Sequence, residues 1–157
     1  MLIANAGDGF EPRLIPTARA VNDGMPLHVA EMTVEALREA GVDVAQAKVA
    51  VLGYTYLANS DDTRNSPSKV LVARLRELGA EVTIHDPYVA DYQGDPLESA
   101  RGCDVVVLMV AHDDYRALDL DELRAQVAHP ILVDGRHVFA SDQAQAAGWE
   151  YRGVGRG

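Results

Sequence analysis

The segment VAVLGYTYLANSDDTRNSPSKVLVARL, Val49 to Leu75, gathers several side chains that could do chemistry. An apolar run reaches Gly53, a polar loop ends in Asp61-Asp62-Thr63-Arg64, and Ser66-Pro67 opens an amphipathic stretch. A helix that starts there offers free N–H groups and the positive end of its dipole to an anion. Arg64 adds a guanidinium suited to bidentate contact with phosphate. The alternative is a loop folded on itself, with Asp61 and Asp62 bonding backbone amides and Arg64 paired to one of them. One glycine follows the apolar run where the dinucleotide fingerprint needs G-x-G-x-x-G, so this is not a standard NAD-binding half.

A second candidate is VDGRH, where Asp134 and Arg136 close an apolar run. Arg136 either completes an anion site or forms a surface ion pair. His112 with Asp113 and Asp114 has the residue types of an acid–base group or a metal site. One histidine beside two carboxylates reads better as a solvated loop with helix-start capping. His28, His85, His129 and His137 are scattered with no H-x-x-H or similar spacing, so no metal site is expected. Cys103, just before an apolar strand, reads as packing.

Alternating strands and helices must position these groups. KVAVLG is strand one, EVTIHDPYV strand two, DVVVLMVA strand three, PILVDG strand four and WEYRGV a short fifth. Strand three is apolar at every position after Asp104, as in a sheet covered on both faces. Between them, Ser66 caps a helix with Pro67 at its first position, and PLESARG, LDELRAQV and SDQAQAAG are short helices. Upstream, RLIPTARAVNDGMPLHVAEMTVEALREAG reads as helical but broken near Gly24, renewed at Pro26 and stopped at Gly41. Leu27, Ala30, Val34 and Leu37 form its apolar stripe. The predicted fold is α/β, a Rossmann-like and mainly parallel sheet of about five strands with flanking helices. Ligands of such sheets sit beyond the carboxyl ends of the strands. Here those ends are Gly53–Arg64, His85-Asp86, Ala111–Asp114 and Asp134–Arg136, which should meet on one edge.

The 157 residues make one ordinary domain, and almost half are hydrophobic, enough for a full core. A single cysteine excludes an intramolecular disulfide and any multi-cysteine metal site. The formal charge of −10 argues against nucleic-acid binding, which needs a basic face. It also means that an anionic ligand must be held by a few placed cations. No stretch reads as a signal peptide and no apolar run approaches the ~20 residues of a membrane span, so a cytoplasmic protein without membrane contact is expected.

Several of these segments together resemble the C-terminal domain of the UDP-glucose/GDP-mannose dehydrogenase family: VAVLGYTYLANSDDTRNSPS, VTIHDPYV, ILVDGRHVF and YRGVGRG, in order and at compatible spacing. RLIPTARAVNDGMP resembles the family's central dimerisation helix. LANSDDTRNSPS and VAHDDYRALD look most similar to the branch that acts on UDP-N-acetylhexosamines, UDP-N-acetylmannosamine in particular. The resemblance implies NAD as cofactor, a UDP-sugar as substrate, and oxidation of the sugar C6 alcohol to a carboxylate through a cysteine-bound thiohemiacetal. It implies that Tyr56 and Leu57 lie against the nucleotide-sugar, that Arg136 reaches the UDP-sugar, and that Arg64 reaches the NAD side of the cleft. Leu57 is a departure, since many relatives carry lysine there. Leucine offers backbone contacts but no charge.

The family's glycine-flanked nucleophilic cysteine, its N-terminal G-x-G-x-x-G and its central lysine and asparagine have no counterpart in the sequence, and Cys103 lies in a different motif. The expectation is therefore a domain fragment, inactive alone. Residues 1–12 would be an irregular remnant of the upstream region, 13–42 part of the dimerisation helix, and 43–157 the UDP-sugar-binding domain. A homodimer through the Arg13–Gly41 helices is implied. The rival expectation is a non-catalytic assembly module that dimerises through those helices and retains no nucleotide site. A free-standing Rossmann-like nucleotide sensor is a remoter third.

Overall fold

A computed structural model describes residues 13–155 of the chain; the expected irregular segment 1–12 lies outside them. Five parallel strands form one sheet: β1 (Lys48–Leu52), β2 (Glu81–His85), β3 (Val105–Leu108), β4 (Ile131–Asp134) and β5 (Glu150–Gly153). Their order across the sheet is β2-β1-β3-β4-β5. The chain runs outward from β1 to β2, then crosses back to β3. Leu52 stands beside His85 on one side and Leu108 on the other. The order reverses between β1 and β3, so the loops leaving those two strands flank the switch-point crevice. The expected fold class is realised, with every strand parallel.

Alternation along the strands splits the core in two. Val49, Val51, Val105, Val107, Ile131 and Val133 point to one face. There they meet α1 (Leu14–Glu39) and α2 (Pro67–Glu77). Ala50, Leu52, Val106, Leu108 and Leu132 point to the other. They meet the shorter helices α3 (Pro96–Ala100), α4 (Asp113–Arg116), α5 (Leu120–Arg124) and α6 (Ser141–Ala146), with Tyr115 and Trp149 filling the larger gaps. Burial on both faces explains why β3 is continuously apolar.

Two expectations for the upstream segment need correction. The helix is not broken near Gly24: α1 runs unbroken for 26 residues through Gly24 and Pro26. Proline removes one backbone donor, and the rest of the helical ladder carries the segment across that gap. Pro26 itself is buried, so the ring contributes packing in return. The buried stripe also differs. Ala30 and Leu37 are buried as expected, but Leu27 is 43% exposed and Val34 only half-buried. Their places are taken by Val29, Thr33 and Ala36. Thr33 can sit in an apolar stripe because its hydroxyl donates to Val29 O at 2.8 Å. Leu27 and Val34 instead line a groove between α1 and α2, with Arg74 and Leu78.

Gly41 does stop α1. It takes φ +77, donates to Arg38 O, and lets Val42 donate back to Leu37 O, the paired bonds of a Schellman ending. Arg152 on β5 then fastens the end of α1 to the sheet edge, reaching Glu39 at 2.6 Å and Glu150 at 2.8 Å. Among the described residues no helix is long and apolar enough to cross a membrane.

Candidate functional site

The loop after β1 begins with Gly53, whose amide donates to His85 O at 2.8 Å. The chain then turns over the carboxyl edge because one buried carboxylate collects its amides. Asp86 Oδ2 accepts from Tyr54 N at 2.6 Å and Thr55 N at 3.0 Å, and Oδ1 accepts from Tyr88 N at 2.9 Å. His112 Nε2 lies 3.1 Å from the same Oδ2. Both side chains are fully buried. Burial by itself would raise the Asp86 pKa, but the bonds from His112 and the three amides outweigh it and hold the group at about 2.

His112 is therefore not the solvated loop residue expected above. It precedes α4 without capping it. Its ring is fully buried, stacked on Tyr88 with centroids 5.0 Å apart. Its Nδ1 accepts from Asn59 N at 2.9 Å. An amide N–H can only donate, so Nδ1 carries a lone pair and the ring proton sits on Nε2, facing Asp86. Thr55 Oγ1 lies 3.2 Å from Nε2 and donates to Leu57 O at 3.0 Å. Asn59 is further tied to Asp113, giving Nδ2 to Oδ2 at 2.8 Å and accepting Asp113 N at 3.1 Å. With both ring nitrogens engaged and no exposure, His112 is no general base. The edges of β1, β2 and β3 thus meet as the topology requires.

The expected site residues fall as follows. Tyr56 and Leu57 are 48% and 60% exposed, at the crest of the loop. Arg64 is highly exposed and forms a forked pair with Asp62, Nε to Oδ1 at 2.9 Å and Nη2 to Oδ2 at 2.8 Å. Bonds from the Arg64 side chain and backbone hold Asp62 at about 2. This local pairing is the one read as the alternative for Arg64, and it coexists with an open face. Tyr56 and Arg64 line a concavity of about 890 Å³ together with Arg19, Asn22, Asp23 and Lys69. Three cations (Arg19, Arg64, Lys69) there face two carboxylates (Asp23, Asp62), a local positive excess on an acidic protein.

Arg136 does not pair with Asp134. Its Nε donates to Met109 O at 2.8 Å, while Asp134 is buried and accepts from Arg136 N at 2.9 Å, Phe139 N at 3.0 Å and Tyr151 OH at 3.3 Å. The surface ion pair is thus absent, and Nη1 and Nη2 make no hydrogen bond among the described residues. Arg136 lines a smaller concavity of about 110 Å³ with Met25, Met109 and Gly135. It adjoins the larger one, because Asn22, Pro26 and Pro67 line both. Leu57 lines neither. α1 walls both concavities, a role that sequence reading did not assign to it.

The remaining candidates are structural. His85 is buried between Tyr115 OH at 2.9 Å and Gly94 O at 3.1 Å, and burial lowers its pKa. Cys103 is buried, and burial pushes its thiol up to about 11, the opposite of a nucleophile's environment. No group of three His, Cys, Asp or Glu is placed to hold a metal among the described residues.

Comparison with known proteins identifies the family of the domain. The profile of the UDP-glucose/GDP-mannose dehydrogenase family, UDP binding domain, matches residues 50–141. The chain is similar to the UDP-N-acetyl-D-mannosamine dehydrogenase of Pyrococcus horikoshii, 33% identical over all of this chain and 36% of that protein. It is 35% identical to the UDP-glucose 6-dehydrogenase of Rhizobium meliloti over 99% of this chain and 37% of that protein. Among solved structures, the Pyrococcus horikoshii UDP-D-ManNAc dehydrogenase superposes with a TM-score of 0.89 at 32% identity, over 99% of this chain and 36% of that one. An NDP-N-acetyl-D-galactosaminuronic acid dehydrogenase from Methanosarcina mazei gives 0.85 at 35% identity, over 95% of this chain and 33% of that one. The chain spans about a third of the length of these relatives.

Proposed function

The chain belongs to the UDP-glucose/GDP-mannose dehydrogenase family, and from that premise we propose that it is the UDP-sugar-binding portion of an NAD-dependent nucleotide-sugar 6-dehydrogenase. Its substrate in this reading is a UDP-N-acetylhexosamine such as UDP-N-acetylmannosamine. Two of the relatives above, from Pyrococcus horikoshii and Methanosarcina mazei, carry names of N-acetylated sugars. The observation that carries the reading is the placement of Tyr56, Arg64 and Arg136 along two adjoining concavities beside the switch point.

Arg136 offers two free amino groups to the phosphates of UDP. Tyr56 lies against the nucleotide-sugar, and Leu57 contributes backbone only. Arg64, with Lys69 and Arg19, suits the phosphate edge of NAD, since these cations outnumber the carboxylates around them. When bound, NAD supplies the hydride acceptor for oxidation of the sugar C6 alcohol. The residues of this chain bind and orient, and none of the described candidates is placed to attack or to move a proton. Its buried cysteine brings no nucleophile. The chain alone is therefore expected to bind UDP weakly and to reduce no NAD with UDP-sugars.

Calorimetric titration with UDP, beside Arg136→Ala, tests this. Loss of the guanidinium should weaken binding about tenfold, the scale of one charge-assisted bond. Equal affinities remove Arg136 from the site, and absence of heat with the wild type overturns nucleotide binding. Turnover by the chain alone overturns its assignment to a binding role.

A second reading has its own support. Residues 14–24 of α1 are exposed throughout, and Leu14, Ile15 and Val21 present apolar surface there, with Leu27 exposed one turn further on. An assembly module that dimerises through Arg13–Gly41 and holds no nucleotide would use that surface. Sedimentation separates the two, since the assembly module gives a dimer indifferent to UDP.

A further inference from the structure

Tyr56, Leu57 and Ala58 form an exposed arch of three residues. Both of its feet stand on the same buried pair. On one side, the amides of Tyr54 and Thr55 donate to Asp86 Oδ2. On the other, the amide of Asn59 donates to His112 Nδ1. The pair is closed within itself, Nε2 to Oδ2 at 3.1 Å, and the arch is braced inside by the Thr55 hydroxyl on Leu57 O. Asn59 adopts φ +56, an uncommon region for a side-chain-bearing residue, which is held by its three partners in His112, Asp113 and Tyr88.

Neither Asp86 nor His112 has any exposed surface, so neither can touch a ligand. Nothing in the binding chemistry above uses them, yet burying a charged carboxylate with a histidine is costly unless fully bonded. A connection that only had to leave β1 and enter α2 would need no such pair. We propose that Asp86 and His112 are positioning residues, a clamp that fixes the Tyr56–Ala58 arch in the shape that receives the nucleotide-sugar. The proposal rests on the reading that Tyr56 and Leu57 face that ligand. The clamp works through direction as much as strength. Asn59 N–H demands an acceptor at Nδ1, and Asp86 demands a donor at Nε2, so one tautomer serves both feet.

His112→Gln and His112→Leu separate a clamp from mere filling of space. A glutamine amide presents an acceptor and a donor side by side, as the ring nitrogens do, whereas leucine presents neither. Amide hydrogen exchange read by NMR reports the local opening of each foot. In the leucine variant, the amides of Thr55 and Asn59 should lose protection by about tenfold or more, with β1 and β3 amides such as Val51 and Val107 unchanged. UDP affinity should fall by about the same factor. The glutamine variant should recover both to within about threefold of wild type. If leucine leaves Asn59 protected, or if glutamine is as damaged as leucine, the clamp is overturned.

Should His112→Leu lose protection across the whole sheet, Thr55→Val takes its place. It nearly keeps volume and removes the brace together with the hydroxyl's contact to His112 Nε2, and is expected to cost about threefold protection at Asn59. Unchanged exchange there overturns the proposal equally. If wild-type protein binds no UDP, the nucleotide reading fails on that result alone, while the exchange data still decide whether the clamp exists.

Discussion

Among the described glycines, Gly53 leaves the least room for an added side chain, and replacing it with alanine should be severe. Gly53 follows β1 at φ +97, a conformation that side-chain-bearing residues rarely adopt. A Cβ placed there would lie 2.5 Å from Val110 Cβ and 2.7 Å from Val110 N. The second contact decides the outcome, because a backbone atom cannot rotate away. Val110 follows Met109, whose amide is bonded to Leu52 O at 2.9 Å. Relief would require β1 and β3 to separate at the switch point. The backbone strain is worth roughly 1–3 kcal/mol and the overlap roughly another 1–3 kcal/mol. Together, roughly 2–6 kcal/mol is a large share of the ~5–15 kcal/mol that holds an ordinary domain. Gly102→Ala is the control. It shares a positive φ, +68, but has nothing within 4 Å of the added carbon, so it should cost only about 1 kcal/mol. Urea unfolding followed by circular dichroism measures both. If Gly53→Ala costs no more than Gly102→Ala, close approach is not what reserves position 53 for glycine, and the account of the loop's origin fails.

Two further predictions concern stability. Asp86 has a folded pKa of about 2, below its ordinary value near 3.8. Its contribution is therefore present above pH ~4 and lost as the pH falls through about 2, a difference of about 2 kcal/mol. The stability gap between wild type and Asp86→Asn, read by urea unfolding, should narrow by about that amount from pH 5 to 2; a gap independent of pH contradicts the hydrogen-bond assignment. Gly24 lies in the unbroken part of α1 with nothing within 4 Å of an added Cβ. Gly24→Ala should stabilise the helix by roughly 0.5–1 kcal/mol and raise its ellipticity. A loss of helicity would instead restore the break read from the sequence.

Much of the fold was legible because its signals are local. Continuous apolar runs announced strands buried on both faces, Ser66-Pro67 announced the start of α2, and Gly41 the end of α1. The break expected at Gly24 and Pro26 was wrong for a local reason too. Composition penalises glycine and proline in a helix, but it does not show that Pro26 is buried against the domain, where packing offsets one missing bond. His112 was misread because its partners are remote: Asp86 lies 26 residues away, Asn59 53 and Thr55 57. Two aspartates follow it directly, and these suggested a solvated turn. The usable signal was topological. In a parallel sheet with a switch between strands one and three, Asp86 and the residues after strand three must converge on the loop after strand one.

That convergence changes what the single glycine means. A dinucleotide fingerprint spends three glycines to bring backbone amides up to a pyrophosphate at a helix start. Here one glycine brings the backbone close, but to Val110 of a neighbouring strand, and the next two amides turn inward onto Asp86. Those N–H groups are consumed by the protein's own buried carboxylate and cannot cradle a phosphate. In the proposed reading, the cations available to an anion on this edge stand further out: Arg64, Lys69, Arg136, and Arg19 from α1. The Tyr54 and Thr55 amides fix the shape of the loop, and in the proposed reading a small set of arginines and a lysine around two adjoining concavities holds the charge.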